Sequence, residues 1–253
     1  FTNLEKNLGP SMRPYRLDRM AKLLELFDHP ERKFKSIHVS GSKGKGSTAI
    51  YIASALTEAG FLTGLYTSPH VISYRERITL AGKFIDDKML IQGINRIRKE
   101  IENLDPLMLP GQARPTTFEL LTLLAYLTFA ELGCQWALIE TGIGGRLDAT
   151  NVLMPVATVH TPVELEHTEV LGETLEEIAA EKAGIIKPEI PVYCGYQREP
   201  AEKVFRKTAA KLNSPFHLVS NEITDIVYID QSNKSKIEVS TKAGDRIQLK
   251  PGM

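Results

Sequence analysis

The sequence predicts an α/β protein of three layers around a mostly parallel central sheet, with a small β-meander near its C-terminus. Three observations lead there. Short apolar runs recur between longer amphipathic stretches. Those runs are apolar throughout rather than alternating, as befits strands covered on both faces. A glycine-rich segment sits directly between one such run and a helical pattern, where α/β sheets place their ligands.

The elements follow in order. After a polar start, Leu17, Met20, Leu23, Leu24 and Phe27 fall at helical spacing, and residues 36–40 (SIHVS) read as a short strand. Beyond the glycine-rich loop, Ser47 or Thr48 is the expected cap of a helix through about Ala59; Ile50, Ile52, Ala53 and Leu56 face the sheet and Gly60 stops it. Residues 62–66 are the next strand, and 86–102 and 116–132 the next helices. Residues 136–140 (WALIE) and 156–161 (VATVHT) read as buried strands. Thr174 with Glu177 forms a capping box for a helix to about Ile186, ended by Lys187 and Pro188. A strand over 191–194 and a helix over 199–212 complete the alternation. After Pro215 the pattern changes, and 223–229, 236–240 and 246–250 read as alternating strands separated by turn-rich 230–235 and 242–245.

Composition narrows the possible functions. With 253 residues, 42% of them hydrophobic and 25% charged, the chain can bury a sizeable core. Its 31 basic side chains balance 31 acidic ones, which removes the global electrostatic argument for nucleic acid or an anionic membrane as partner. Any anion site must be local. The most apolar stretch, 120–130 (LLTLLAYLTFA), is helical and falls short of the roughly 20 residues a membrane span needs. No basic-then-apolar signal segment opens the sequence, and Cys134 and Cys194 give no disulfide framework, so a reducing cytoplasm is expected.

Three segments carry chemistry. The first is Gly41, Ser42, Lys43, Gly44, Lys45, Gly46, Ser47 and Thr48, between a predicted strand and a predicted helix. Such a loop can aim successive backbone N–H groups and a helix N-terminus at an anion, and glycine lets backbone approach phosphate closely. Lys45 would reach the β and γ phosphates, with the Ser47 or Thr48 hydroxyl near Mg²⁺. The strict P-loop spacing fails, because Gly46 separates Lys45 from Ser47 and only two residues separate Gly41 from Gly44. A solvated Gly/Lys turn is the competing reading. The second segment, 140–151 (ETGIGGRLDATN), starts with Glu140 at the carboxyl end of a strand, where it can coordinate Mg²⁺ or be simply solvated. The third, 164–167 (ELEH), follows another strand. His167 is an unusual Mg²⁺ ligand on chemistry alone, because that ion prefers oxygen.

Taken together, these segments resemble the folylpolyglutamate synthase and dihydrofolate synthase family of the Mur-ligase superfamily. The resemblance runs through Ile37-His38-Val39 with Gly44-Lys45-Gly46-Ser47, then Tyr66-Thr67-Ser68-Pro69-His70 with Glu76-Arg77-Ile78, then Thr117-Phe118-Glu119. It continues through 140–151, His167 with Leu171-Gly172, and 180–188 (AEKAGIIKP), covering roughly residues 14–190. It implies a P-loop-type domain and an ATP-dependent ligase that adds L-glutamate to dihydropteroate, a reduced folate or both through an acyl phosphate. It also implies that residues 41–48 bind the ATP phosphates, with Lys45 beside the transferred group. Ser68, Glu140 and His167 match the family's Mg²⁺ ligands, and Lys182 matches a lysine carried as a carbamate that holds a second Mg²⁺. His70, Arg77, Phe118 and Asp148 fall where the family shapes its pterin or folate pocket. Outside the family match, Ser68-Pro69 would be a turn, Arg77 a surface cation, Phe118 a core aromatic and Lys182 a solvated helix lysine.

Two positions depart from the family: Glu166 stands where Asp usually precedes the histidine, and Ser42-Lys43 stands where Thr-Asn is common. The sequence also stops at Pro251-Gly252-Met253, about where the family's connection to a second α/β domain begins. The expectation is one ATP-binding catalytic domain over 1–253, with the β-meander at about 216–250, without its C-terminal partner, inactive in ligation alone and a monomer when complete. Another Mur-type amino-acid ligase and a noncatalytic nucleotide-binding module are the alternatives.

Overall fold

The computed structural model describes residues 17–229 and 236–249. The polar start, the turn at 230–235 and the end of the chain lie outside the described residues. In chain order the elements are α1 (Leu17–Leu26), β1 (Lys35–Ser40), α2 (Lys45–Glu58), β2 (Thr63–Tyr66), β3 (Ile78–Leu80), β4 (Lys83–Phe84), α3 (Asp87–Glu102), α4 (Thr117–Glu131) and β5 (Trp136–Glu140). They continue as β6 (Ala157–His160), α5 (Thr168–Leu171), α6 (Leu175–Ala183), β7 (Val192–Cys194), α7 (Glu199–Lys211), β8 (Phe216–Leu218), α8 (Val219–Glu222), β9 (Ile223–Ile229), β10 (Lys236–Thr241) and β11 (Arg246–Leu249).

The large sheet runs β4-β3-β2-β5-β1-β6-β7-β8, parallel from β2 to β8 and antiparallel only at the β3 and β4 edge. β9, β10 and β11 form a separate antiparallel sheet. Strand alternation decides what lies on each face. Val39, Leu65 and Leu138 pack with Ala49 and Ala53 of α2, while Tyr66, Ala137 and Ile139 join Leu123, Tyr126 and Phe129 of α4 in another cluster. Val192 and Cys194 pack with Ile178 of α6 and Phe205 of α7. The predicted three layers and apolar strands are therefore present.

Four details differ from the sequence reading. α2 opens earlier, at Lys45: Gly44 holds φ 77° as the N-cap and its carbonyl accepts from Thr48 N–H at 2.9 Å. Neither Ser47 nor Thr48 caps the helix, because the left-handed glycine turns the chain one residue before Lys45. The Thr174–Glu177 capping box is present, but α6 ends at Ala183 rather than near Ile186. There Gly184 lies so close to Arg146 that a Cβ would sit 2.3 Å from the Arg146 Cβ, and Asn151 Nδ2 donates to the Gly184 carbonyl at 3.0 Å. The β3–β4 hairpin was not anticipated; Ala81 and Gly82 both hold positive φ in a two-residue turn. Finally, β8 extends the large sheet past Pro215, so the separate sheet begins at Ile223. No helix among the described residues is long and apolar enough to cross a membrane.

Candidate active site

β1 delivers the glycine loop to the carboxyl edge of the sheet. Gly41 holds φ 150°, and a Cβ there would lie 1.9 Å from Thr161 Oγ1, so only glycine passes beneath the end of β6. Ser42 N–H and Lys43 N–H both donate to the Pro162 carbonyl, at 2.9 and 3.3 Å. Ser42 Oγ donates to the Glu164 carbonyl at 3.2 Å and accepts from Glu164 N–H at 3.0 Å. The expected run of anion-facing amides is therefore shorter than the loop. Two of its N–H groups are spent on Pro162, and the free donors are those of Gly44 and the first turn of α2, where a helix has no internal acceptors and carries a positive dipole end. Lys45 Nζ folds back onto the Ser42 carbonyl at 3.4 Å.

Glu140 closes the other side. As the last residue of β5 it lies beside Val39 in the sheet and is 4% exposed. Its Oε2 accepts from Ser68 N–H at 3.1 Å, and a Cβ on Gly46 would lie 3.4 Å from that oxygen. Burial pushes the Glu140 carboxyl up to about 7, against the opposing pull of the Ser68 N–H, Lys45 and Arg77. Residues 42–47, Ser68 and Glu140 line one cavity of about 590 Å³, together with Thr79, Gly82 and Phe84 of the unanticipated hairpin. The Ala81-Gly82 pair between two β-prone stretches was the available signal for that wall. Gly41 and Thr48 are not among the lining residues.

Ser68 and Glu140 offer oxygen donors, which suit a hard divalent cation, and such a charge would relieve the burial penalty on Glu140. His167 is exposed, holds φ 47° at the start of α5, and makes no side-chain hydrogen bond to cap that helix. No group of three His, Cys, Asp or Glu side chains among the described residues is arranged to hold a metal. Lys182 overturns the solvated-lysine reading. It follows Ile178 by four residues on the inner face of α6, is 1% exposed, and donates to the Gly41 carbonyl and to Glu166 Oε1, both at 2.8 Å. Burial lowers its pKa and Glu166 opposes that.

The expected pocket residues form two pairs. Arg77, buried rather than a surface cation, donates from Nε to His70 Nδ1 at 2.8 Å, and the His70 ring lies 4.2 Å from that of Tyr74. The same loop is ordered by Glu76, which accepts from the N–H groups of Val71, Ile72 and Ser73. Phe118 and Asp148 meet at Gly142: a Cβ there would lie 2.7 Å from the Phe118 ring and 3.1 Å from Asp148 Oδ2. Asp148 Oδ2 accepts from Gly142 N–H and Ile143 N–H, and Oδ1 accepts from Thr150 N–H and Thr150 Oγ1. Both carboxylate oxygens are thus engaged in holding their own loop. Because the Thr150 hydroxyl proton goes to Asp148, buried His38 must donate to Thr150 Oγ1 from Nε2, at 2.8 Å. A separate apolar groove of about 580 Å³ lies between α3 and α4, lined by Ile91, Ile94, Leu120 and Leu121. Its ionic side chains, Arg75, Asp87 and Arg98, are paired with one another or with Glu102, so it offers no reactive group.

A parallel sheet that feeds a glycine loop into a helix N-terminus, opposite a strand-end carboxylate, is the architecture of the P-loop-type three-layer α/β class. No family model matches the chain. The dihydrofolate synthase/folylpolyglutamate synthase of Bacillus subtilis (strain 168) is 42% identical over 201 residues, which is 79% of this chain and 46% of that protein. The apo form of the L. casei folylpolyglutamate synthase superposes with a TM-score of 0.86 at 30% identity, covering 98% of this chain and 62% of that one. A folylpolyglutamate synthase–AMPPCP–folate complex gives 0.86 at 31% identity, over 98% and 62% of the two chains. The chain belongs to the folylpolyglutamate synthase and dihydrofolate synthase family. It spans about half the length of the B. subtilis relative.

Proposed function

We propose that this chain is the ATP-binding catalytic domain of a Mur-type ligase that joins L-glutamate to dihydropteroate, a reduced folate or both. The observation that carries the reading is the single cavity holding the free amides at the start of α2, Lys45, Ser68 and the buried Glu140. The relative that binds AMPPCP and folate shares the fold across nearly the whole chain, which supports the same use of the cavity here.

A carboxylate resists an amine until one of its oxygens becomes a good leaving group. In the proposed reaction the acceptor's carboxylate oxygen attacks the γ-phosphorus of ATP and the bond to ADP breaks, leaving an acyl phosphate. The glutamate amine then attacks the acyl carbon, the amine proton is lost, and phosphate leaves as the amide forms. The protein's part is alignment and neutralisation of the triphosphate charge. The amides of residues 44–47 and the Lys45 ammonium bind the phosphates. Ser68 and Glu140 would hold Mg²⁺, which supplies further charge neutralisation when bound. His167 and Lys182 as a carbamate complete the proposed metal set, and Lys182 must leave Glu166 to take that role. His70, Arg77, Phe118 and Asp148 frame the acceptor, with Asp148 acting through the loop it holds.

A cytoplasmic setting suits the two free thiols, Cys134 and Cys194, both buried and pushed up to about 11 and about 12 by burial. The test is ATP- and glutamate-dependent amide formation by a chain extended to the length of its relatives, with dihydropteroate and tetrahydrofolate offered separately. Amide formation with either supports the reading. ATP turnover without acceptor dependence, or turnover only with a muramyl acceptor, would reject it.

A further inference from the structure

We propose that Gln197 is a positioning residue for the phosphate-facing loop, an inference that rests on the reading of that loop as the triphosphate site. Gln197 lies between β7 and α7, is 5% exposed, and uses both ends of its carboxamide. Oε1 accepts from Val163 N–H and Nε2 donates to the Thr161 carbonyl, each at 2.9 Å. Both backbone groups lie beyond His160, the last residue of β6, and both residues are buried. Buried peptide groups need partners, and the carboxamide stands in for the neighbouring strand that has ended.

The residue between them is Pro162. It has no N–H, and its carbonyl takes both Ser42 N–H and Lys43 N–H. The path from Gln197 to the loop is therefore short: carboxamide, backbone of 161–163, Pro162 carbonyl, amides of Ser42 and Lys43. With those two amides turned away from the cavity, the donors at Gly44 and the first turn of α2 are the ones left facing it. Gln197 itself does not line that cavity. Its effect on a nucleotide acts through the height at which the Pro162 carbonyl is held.

The chemistry of the side chain is specific. Val163 requires an acceptor and Thr161 a donor, so the reversed carboxamide would oppose like groups twice. Methionine fills the space and makes neither bond. An ionised glutamate accepts from Val163 but faces the Thr161 carbonyl with a second acceptor, whereas a protonated glutamate restores one donor and one acceptor.

The test uses the 253-residue chain and three measurements: affinity for Mg-AMPPCP, affinity for adenosine, and hydrogen exchange at the Ser42 and Lys43 amides. Gln197→Met should keep its circular dichroism, bind AMPPCP roughly tenfold more weakly with adenosine little changed, and exchange those two amides faster. Gln197→Glu should be weak at about pH 8 and recover, relative to the unsubstituted chain, toward about pH 6 as its carboxyl takes a proton. If Gln197→Met does not fold, the glutamate variant's pH profile carries the test. Unchanged exchange and affinity in Gln197→Met, or equal losses for AMPPCP and adenosine with no pH recovery in Gln197→Glu, would overturn the proposal. Failure of the unsubstituted chain to bind AMPPCP, with Ser42 and Lys43 exchange still controlled by Gln197, would reject the phosphate reading and leave the positioning role standing.

Discussion

Alanine substitutions along the glycine loop should separate three effects that the letters of the motif do not distinguish. At Gly41 the added Cβ would lie 1.9 Å from Thr161 Oγ1 and 2.9 Å from both Thr161 Cβ and the Thr161 carbonyl, at a φ of 150° that L-residues rarely adopt. Backbone strain of about 1–3 kcal/mol and overpacking of about 1–3 kcal/mol give roughly 2–6 kcal/mol in total. That free energy appears either as lost stability, if the loop keeps its place against Pro162, or as lost affinity, if the loop moves and must be driven back by the nucleotide. The sum, not each part, should reach the stated range. At Gly44 nothing lies within 4 Å of the added Cβ, so Gly44→Ala carries only the left-handed backbone cost of about 1–2 kcal/mol. At Gly46 the helix gains from alanine by about 0.5–1 kcal/mol, but the methyl sits 3.4 Å from Glu140 Oε2. Gly46→Ala should therefore be at least as stable as the unsubstituted chain and bind Mg-AMPPCP more weakly. Urea denaturation and AMPPCP titration of the three variants measure both quantities. A Gly41→Ala chain with unchanged stability and affinity, or one less affected than Gly44→Ala, would refute the steric reasoning.

Glu140→Gln should leave stability unchanged or raise it by about 1 kcal/mol, because burial already disfavours the charged carboxyl, while weakening Mg-AMPPCP binding roughly 10- to 100-fold; intact Mg²⁺-dependent binding would remove Glu140 from the site. His38 and His160 are fully buried, and burial holds both near about 3, so the folded chain refuses protons that the unfolded chain takes near about 6.5. Their contribution is present above about pH 6.5 and is lost as pH falls, reaching about 2 kcal/mol each near pH 5. Denaturation across that window should show the loss, and His160→Leu should reduce its slope by about half; an unchanged slope would assign the acid sensitivity elsewhere. Lys182→Met should destabilise the chain by about 1–3 kcal/mol, since the Gly41 carbonyl loses its donor and Glu166, 22% exposed at its side chain, rehydrates in part. In a chain of full family length Lys182→Ala should lose ligation, partly restored by a short added carboxylate; near-normal turnover would defeat the carbamate role.

The sequence by itself determined the layers and the edge of the sheet at which chemistry occurs. Apolar runs such as 136–140 are buried on both faces because their composition leaves no polar face to solvate, and the capping boxes at Thr116 and Thr174 start their helices through bonds a few residues apart. The loop at 41–48 and Glu140 were legible for the same reason: each follows a strand directly, so local connectivity places it. Tertiary structure decided what each residue meets. Which amides of the loop remain free depends on Pro162, about 120 residues away in sequence, and on Gln197 behind it. Lys182 is buried because α6 packs it under Gly41, a contact 141 residues apart that no spacing rule encodes. Asp148 has both oxygens engaged because its loop folds back on Gly142 and Thr150, and the β3–β4 wall joins the site because β3 pairs with β2. Periodicity reports which face of an element is apolar; the donors, acceptors and backbone that meet across long separations are set only when the chain closes on itself.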